Sequence, residues 1–229
     1  MSFIKYSKTL NTNKIELGWS CMPINPLIVI MSCRKNSHLW NNLKNCDKTC
    51  IIFCGDPSLK TDYVYKNRIL YLKCEDTYDH LPTKVYMMIW AILKLGEFSN
   101  ITHIFKLDDH DTKFSKDLKN KIINIKSPNT DYCGQLIQNH LPGYRDWHFN
   151  KCPTTSIWHN RPYPGDYVPW CDGGCGYLLS RKCMYLIVNS LIKEKIYTSH
   201  IFEDVMIAFI LFHHNIHPIK INNIIVGDK

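Results

Sequence analysis

The stretch Ile101-Thr102-His103-Ile104-Phe105-Lys106-Leu107-Asp108-Asp109-His110-Asp111 decides the fold. Residues 101–107 form a short apolar run of strand length, and they end in three carboxylates within four residues. That places an acid cluster at the carboxyl end of a strand, the edge where open α/β sheets bind their ligands. Upstream, residues 82–96 read as a helix. Pro82 suits a first turn, Gly96 suits a stop, and Val85, Met88, Ile89 and Ile92 share one face. Further upstream come strand-like runs at 27–32, 49–54 and 69–73, with a polar helix around 37–44. Alternating strands and helices imply a parallel sheet with helices on its faces.

Downstream, residues 113–169 are rich in Asn, Pro, Tyr, Trp and His without clean periodicity, so strands and long loops are expected there rather than a second domain. The last clear element is a helix from about Phe202, apolar on every side through Phe212 and therefore expected to be buried. Asn215 would be its left-handed cap, with Pro218 beyond. No repeat, low-complexity segment or linker breaks the chain. A single domain over 1–229 is expected.

Composition sets outer limits. With 45% apolar and 21% charged residues the chain has the makings of a core and is neither a disordered tail nor a coiled coil. A net charge of +8 suits a partner bearing phosphates. The basic residues are scattered and no DNA or RNA motif is present, so no nucleic acid partner is expected. Eleven cysteines cannot all pair, and several lie within strand-like runs, which points to reduced, mostly buried thiols in a cytosol-like compartment. The longest early apolar run, 26–31, is far short of the roughly 20 residues of a membrane span. No signal peptide or anchor is expected, and the protein should be soluble and cytoplasmic.

The acid cluster calls for a cation or for water among its carboxylates. Asp109 and Asp111 form a D-x-D pair of hard oxygen donors, suited to Mn²⁺ or Mg²⁺ bridging to a diphosphate, although acidic turns after strands are commonly just solvated. Residues 170–180 read Trp-Cys-Asp-Gly-Gly-Cys-Gly-Tyr-Leu-Leu-Ser, a glycine-dense turn that either lets backbone approach a ligand or serves as a tight structural corner. Glu203-Asp204-Val205 opens the last helix, where carboxylates also act as simple caps.

Taken in order, these pieces resemble the β-1,3-glycosyltransferases of the galactosyltransferase, core 1 synthase and Fringe group. The stretch 76–84, Asp-Thr-Tyr-Asp-His-Leu-Pro-Thr-Lys, is similar to D-S-Y-x-N-L-T-x-K, and Trp90 fits the tryptophan of that group's next helix. Lys106 to His110 resembles the metal motif K-x-D-D-D. Residues 173–180 resemble G-G-A-G-Y-V-L-S, and Glu203 through Pro218 resembles E-D-V-Y-V-G-x-C-L-x-x-L-G-I-x-P.

The resemblance implies a single GT-A-like α/β domain with a mostly parallel central sheet flanked by helices, with a nucleotide-binding half over about 1–112 and an acceptor-side half over about 113–229. It also implies inverting, metal-dependent transfer of a hexose or N-acetylhexosamine from a UDP-sugar to a hydroxyl of a glycan or glycoprotein, in β-1,3 linkage. Asp204 would be the general base, with a pKa lowered by the helix N-terminus. Lys84, Ser32, Arg34 and Asp108 would lie near the nucleotide, and Asp172, Gly173, Gly174 and Glu203 near the substrates. Trp170 is either an aromatic platform for sugar or a core residue. The metal, Mn²⁺ or Mg²⁺, would be held by Asp109 with either His110, which stands where the motif has its third aspartate, or Asp111, the preferred ligand. The family's amino-terminal anchor and stem have no counterpart here, so a cytoplasmic enzyme of a large DNA virus, acting in its host, or of a microbe is expected. The alternative is a degenerate relative that keeps the fold as a non-catalytic carbohydrate-binding or structural protein.

Overall fold

A computed structural model describes residues 23–46, 50–109, 118–125, 130–138, 144–194 and 199–221. The decisive stretch forms strand β5 (His103–Asp108), central in an eight-stranded sheet. On one side it pairs in parallel with β1 (Pro26–Met31), in register from Pro26 opposite His103 to Met31 opposite Asp108. Beyond β1 lie β2 (Ile51–Gly55), β4 (Ile69–Leu72) and the edge strand β3 (Tyr63–Lys66). On the other side come β9 (Tyr177–Ser180), β6 (Tyr132–Gly134) and the terminal β10 (Ile219–Lys220). The pairings β1–β2, β1–β5, β2–β4 and β6–β10 are parallel, and β3 and β9 run antiparallel to their neighbours. The fold class is α/β with a mostly parallel sheet, as expected.

All residues of β1 and β2 are buried because helices cover both faces of the sheet. Leu27, Val29 and Met31 point to the face that carries α2 (Leu81–Lys94), α4 (Arg181–Glu194) and α5 (Glu203–His213). Ile28 and Ile30 point to the opposite face, against Trp40 and Leu43 of α1 (Trp40–Cys46) and Leu118 and Ile122 of α3 (Leu118–Ile123). In α2 the expected stripe of Val85, Met88, Ile89 and Ile92 is fully buried. Asn215 takes a φ of 56° just after α5, as a left-handed cap requires.

Three features depart from the sequence reading. The helix around 37–44 is a 3-10 turn (Arg34–Leu39) running into α1. Strand β3 and its two-residue turn were not foreseen. Asn67 and Arg68 have φ of 53° and 62°, so the pair makes the tight hairpin turn that matches strand twist, without the glycine that usually signals it. Helix α4 was also missed. It starts directly after β9 with no intervening loop, and Ser180 both ends the strand and caps the helix, its Oγ accepting the Cys183 N–H at 3.2 Å. Helix α5 is less enclosed than expected, since Phe212 is 41% exposed.

Candidate active site

The carboxyl ends of β1 and β5 create the first half of the site. Ser32 and Asp109 come directly after paired residues of the two strands, so they meet across the edge. The Ser32 hydroxyl donates to Asp109 Oδ2 at 2.6 Å and the Asn36 amide donates to the same oxygen at 3.0 Å, while Trp40 Nε1 donates to Ser32 Oγ at 2.7 Å. Asp109 is buried, and its carboxylate is oriented by neutral donors in the way that metal-ligating carboxylates usually are. Its oxygens suit a hard divalent cation. His110 and Asp111, the other expected ligands, lie outside the described residues. Among the described residues no group of three or more His, Cys, Asp or Glu side chains is gathered to hold a metal.

Lys84 was expected beside the nucleotide phosphates. Its ammonium is instead buried, 2.5 Å from Asp76 Oδ1 and 3.3 Å from the Ser32 carbonyl. Asp76 in turn accepts the backbone N–H of Arg34 at 2.7 Å and of Gly55 at 2.9 Å. Lys84 and Asp76 therefore brace the turn after β1 from below, and the exposed cation at this edge is Arg34, whose guanidinium lies 3.4 Å from Asp56.

The second half comes from the glycine turn after β8 (Trp170–Cys171) and from the start of α5. Lys106, fully buried on β5, joins the halves. Its ammonium donates to Asp108 Oδ1 at 2.7 Å, to the Gly173 carbonyl at 3.3 Å and to Glu203 Oε1. Tyr177, also fully buried, donates to the other Glu203 oxygen at 2.7 Å. Burial alone would depress the lysine's pKa, but Asp108 and Glu203 more than reverse this and it is raised. Glu203, expected to touch substrate, is thus enclosed, with both carboxylate oxygens bonded inside the protein.

That neighbour is Asp204, half-buried at the first turn of α5, with Oδ2 accepting the Gly173 N–H at 3.1 Å and Oδ1 accepting the Val205 N–H at 2.8 Å. Its pKa was expected to be lowered by the helix N-terminus. The opposite holds: burial and then the adjacent Glu203 charge outweigh Lys106 and the Gly173 N–H, and the carboxyl is pushed up to about 7. A carboxylate in this state is a much stronger base than one on the surface.

The turn itself is packed for glycine. A Cβ at Gly173 would stand 2.6 Å from Glu203 Oε1, an oxygen that the Lys106 bond keeps from moving aside. Gly176 has a φ of +93° and no room beside the Phe105 ring. Asp172 folds this corner by accepting the Cys175 N–H at 2.9 Å, and Gly174 lies half-buried within it. Trp170 is only 2% exposed, stacked on Tyr167 at 5.3 Å and edge-on to Tyr144 at 5.5 Å, so it is a core residue with no open face for a sugar.

Of the residues singled out in the sequence, the structure brings Ser32 and Asp109 into contact at the β1–β5 edge, and Gly173 and Asp204 into contact at the start of α5. Sequence reasoning gave no role to Lys106, Tyr177, Asp76 or Asn36. The signal for Lys106 was available: a lysine flanked by apolar residues in a central strand must be buried with a counter-charge.

None of the described helices is long and apolar enough to cross a membrane. Nine cysteines of the described residues, Cys33 and Cys50 through Cys183, are free thiols, mostly buried. No curated protein matches this chain. The galactosyltransferase family profile matches residues 60–222, a span that runs from the β3–β4 hairpin through β10 and includes Asp108, Asp109, the glycine turn and Asp204. On that match, and with the acid-ended β5 and the carboxylate-bearing α5 meeting at one sheet edge, the chain belongs to the galactosyltransferase family.

Proposed function

We propose that the protein transfers a hexose or N-acetylhexosamine from a UDP-sugar to a hydroxyl of a glycan or glycoprotein, with inversion and in β-1,3 linkage, using a divalent cation. The observation that carries this reading is Asp204: a half-buried carboxylate with a pKa near 7, fixed by the Gly173 N–H and tied through Glu203 and Lys106 to the end of β5.

In the reaction the acceptor hydroxyl docks against Asp204, which takes its proton as the oxygen attacks the anomeric carbon. The donor diphosphate lies at the β1–β5 edge, where Arg34 offers an exposed positive charge and the braced Ser32 turn fixes the backbone. Asp109, together with Asp111 or His110, would hold Mn²⁺ or Mg²⁺, which when bound supplies positive charge against the departing diphosphate. Lys106 holds Glu203 in place, and Glu203 in turn helps to raise the pKa of Asp204 beside it. Asp172 and Gly174 shape the turn that presents the Gly173 N–H. The work of these residues is enclosed by the domain and needs no membrane-spanning part. A cytoplasmic setting, viral or microbial, belongs to the same proposal and rests on the reduced cysteines.

The pH profile tests it. The base must be ionised to act, so kcat/KM for transfer, measured as UDP released from a UDP-sugar and an acceptor, should rise tenfold per pH unit below about 7 and level off above it. A profile flat from pH 5 to 8 would remove Asp204 from the base role.

A further inference from the structure

Residues 144–151 pack beside the start of α5, where His148 lies edge-on to Phe202, and donor binding does not explain their arrangement. Trp147 is 56% exposed, an unusual setting for so large an apolar ring. The Lys151 ammonium lies 4.0 Å from its centroid and 5.4 Å from that of Tyr78, bridging two aromatic faces. On the same loop the Arg145 guanidinium lies 5.2 Å from the Tyr167 ring, held there by its bonds to the Tyr163 and Gly165 carbonyls at 2.6 and 3.2 Å. Both cations are on exposed residues.

This surface adjoins the base. Trp147 leans on Tyr144, Tyr144 meets Trp170 edge-on, and two residues beyond the Trp170–Cys171 strand Gly173 holds Asp204. From the other direction, half-buried Tyr78 is near enough to Asp204 and Asp108 for their charges to add to burial in raising its pKa. The loop is clamped in place: a hydrogen bond links Asp79, next to Tyr78, with Ser156, and His148 packs edge-on to Phe202, which caps α5. Aromatic faces take the apolar faces of sugar rings, and fixed ammonium and guanidinium groups beside them take carboxylate or sulfate oxygens. Two such cations are out of place around a neutral acceptor.

We infer that the loop bearing Arg145, Trp147 and Lys151, with Tyr78 opposite, is an acceptor subsite for an acidic glycan whose terminal or penultimate sugar carries a carboxylate. This deepens the transferase reading and rests on it for the word acceptor, but binding at the surface can be measured without turnover.

The experiment titrates the protein with a uronate-terminated disaccharide and with the same disaccharide after reduction of its carboxyl to an alcohol. Binding is read from the fluorescence change of Trp147, with Trp147→Phe as the signal control. The uronate should bind at least tenfold more tightly than its reduced counterpart. Added salt should weaken its binding and leave the neutral sugar unaffected. Lys151→Met should erase the difference, while its unfolding temperature, measured in parallel, stays close to that of the parent because Lys151 is exposed. Equal binding of the two sugars, no binding of either, or an undiminished preference in Lys151→Met would each overturn the inference. In all three cases a thermal shift with UDP would leave the transferase reading standing, and its absence beside a Lys151-dependent uronate preference would sink the transferase reading alone.

Discussion

Asp204→Asn should lower the rate of sugar transfer by about 10² to 10⁴-fold, the usual contribution of a positioned general base. Asparagine keeps an oxygen that can accept the Gly173 N–H, so the geometry that holds residue 204 survives the change. It also removes a negative charge that the neighbouring Glu203 disfavours, so the variant should unfold no earlier than the parent. UDP binding should persist, because the change leaves the β1–β5 edge, the proposed donor site, untouched. The pH dependence below 7 should vanish from the residual activity. Loss of UDP binding together with activity would argue that Asp204 supports the donor site, and retention of full activity would remove it from the chemistry.

Lys106→Met should be the most damaging single change to stability. The methionine fills much of the space, but Glu203 and Asp108 are left without the cation between them, and Glu203 is buried. Removing one partner of a buried ion pair costs about 3–5 kcal/mol, which for a domain of this size is a fall of roughly 10 °C in Tm. Differential scanning fluorimetry reads this directly. Adding Glu203→Gln should recover part of the loss, since a neutral amide no longer needs the ammonium and can still accept from Tyr177. If the single variant folds well enough to assay, its pH profile should move to higher pH, because Lys106 is the charge that restrains the rise in the Asp204 pKa. A Tm unchanged within a degree or two would mean that the lysine is not the joint between the two halves of the site.

The elements that could be read from the sequence are those whose local pattern and tertiary role agree. Helix α2 has an apolar stripe, a proline at its start and a basic last turn, and β5 is an apolar run that stops at charges. For both, periodicity and burial say the same thing. The β3–β4 hairpin was hidden because its turn uses Asn67 and Arg68 in left-handed conformations, and only the first belongs to the residues that favour them. Helix α4 was hidden by its junction. Tyr177, Leu178 and Leu179 run on into the apolar positions of the helix, and the change of period from two to three or four happens at Ser180 with no loop to mark it.

The site divides in a similar way. Residues that sit in a spaced motif at an element's end, such as Asp109 and Asp204, could be singled out. Residues that act through another side chain could not, because the bond from Lys106 to Glu203 spans nearly a hundred positions and leaves no local trace. The direction of the Asp204 pKa shift was missed for the same reason. A helix N-terminus is legible in sequence, whereas the carboxylate beside it acquires its force from burial that only packing creates. Trp170 is the converse case: the sequence left it open between a sugar platform and a core residue, and packing decides for the core, with Tyr144 and Tyr167 enclosing the ring.

Binding of a UDP-sugar with a divalent cation at the β1–β5 edge would be read by thermal unfolding with UDP and a panel of UDP-sugars, each with Mn²⁺ or with EDTA. A ligand that binds only the folded state at a hundred times its Kd stabilises that state by about 2.7 kcal/mol. The account predicts a rise in Tm with UDP and Mn²⁺, a larger rise with one UDP-sugar, and loss of both in EDTA. No shift with any nucleotide at millimolar concentration, with or without metal, would contradict it and leave a family member that has kept the sheet and lost the donor site.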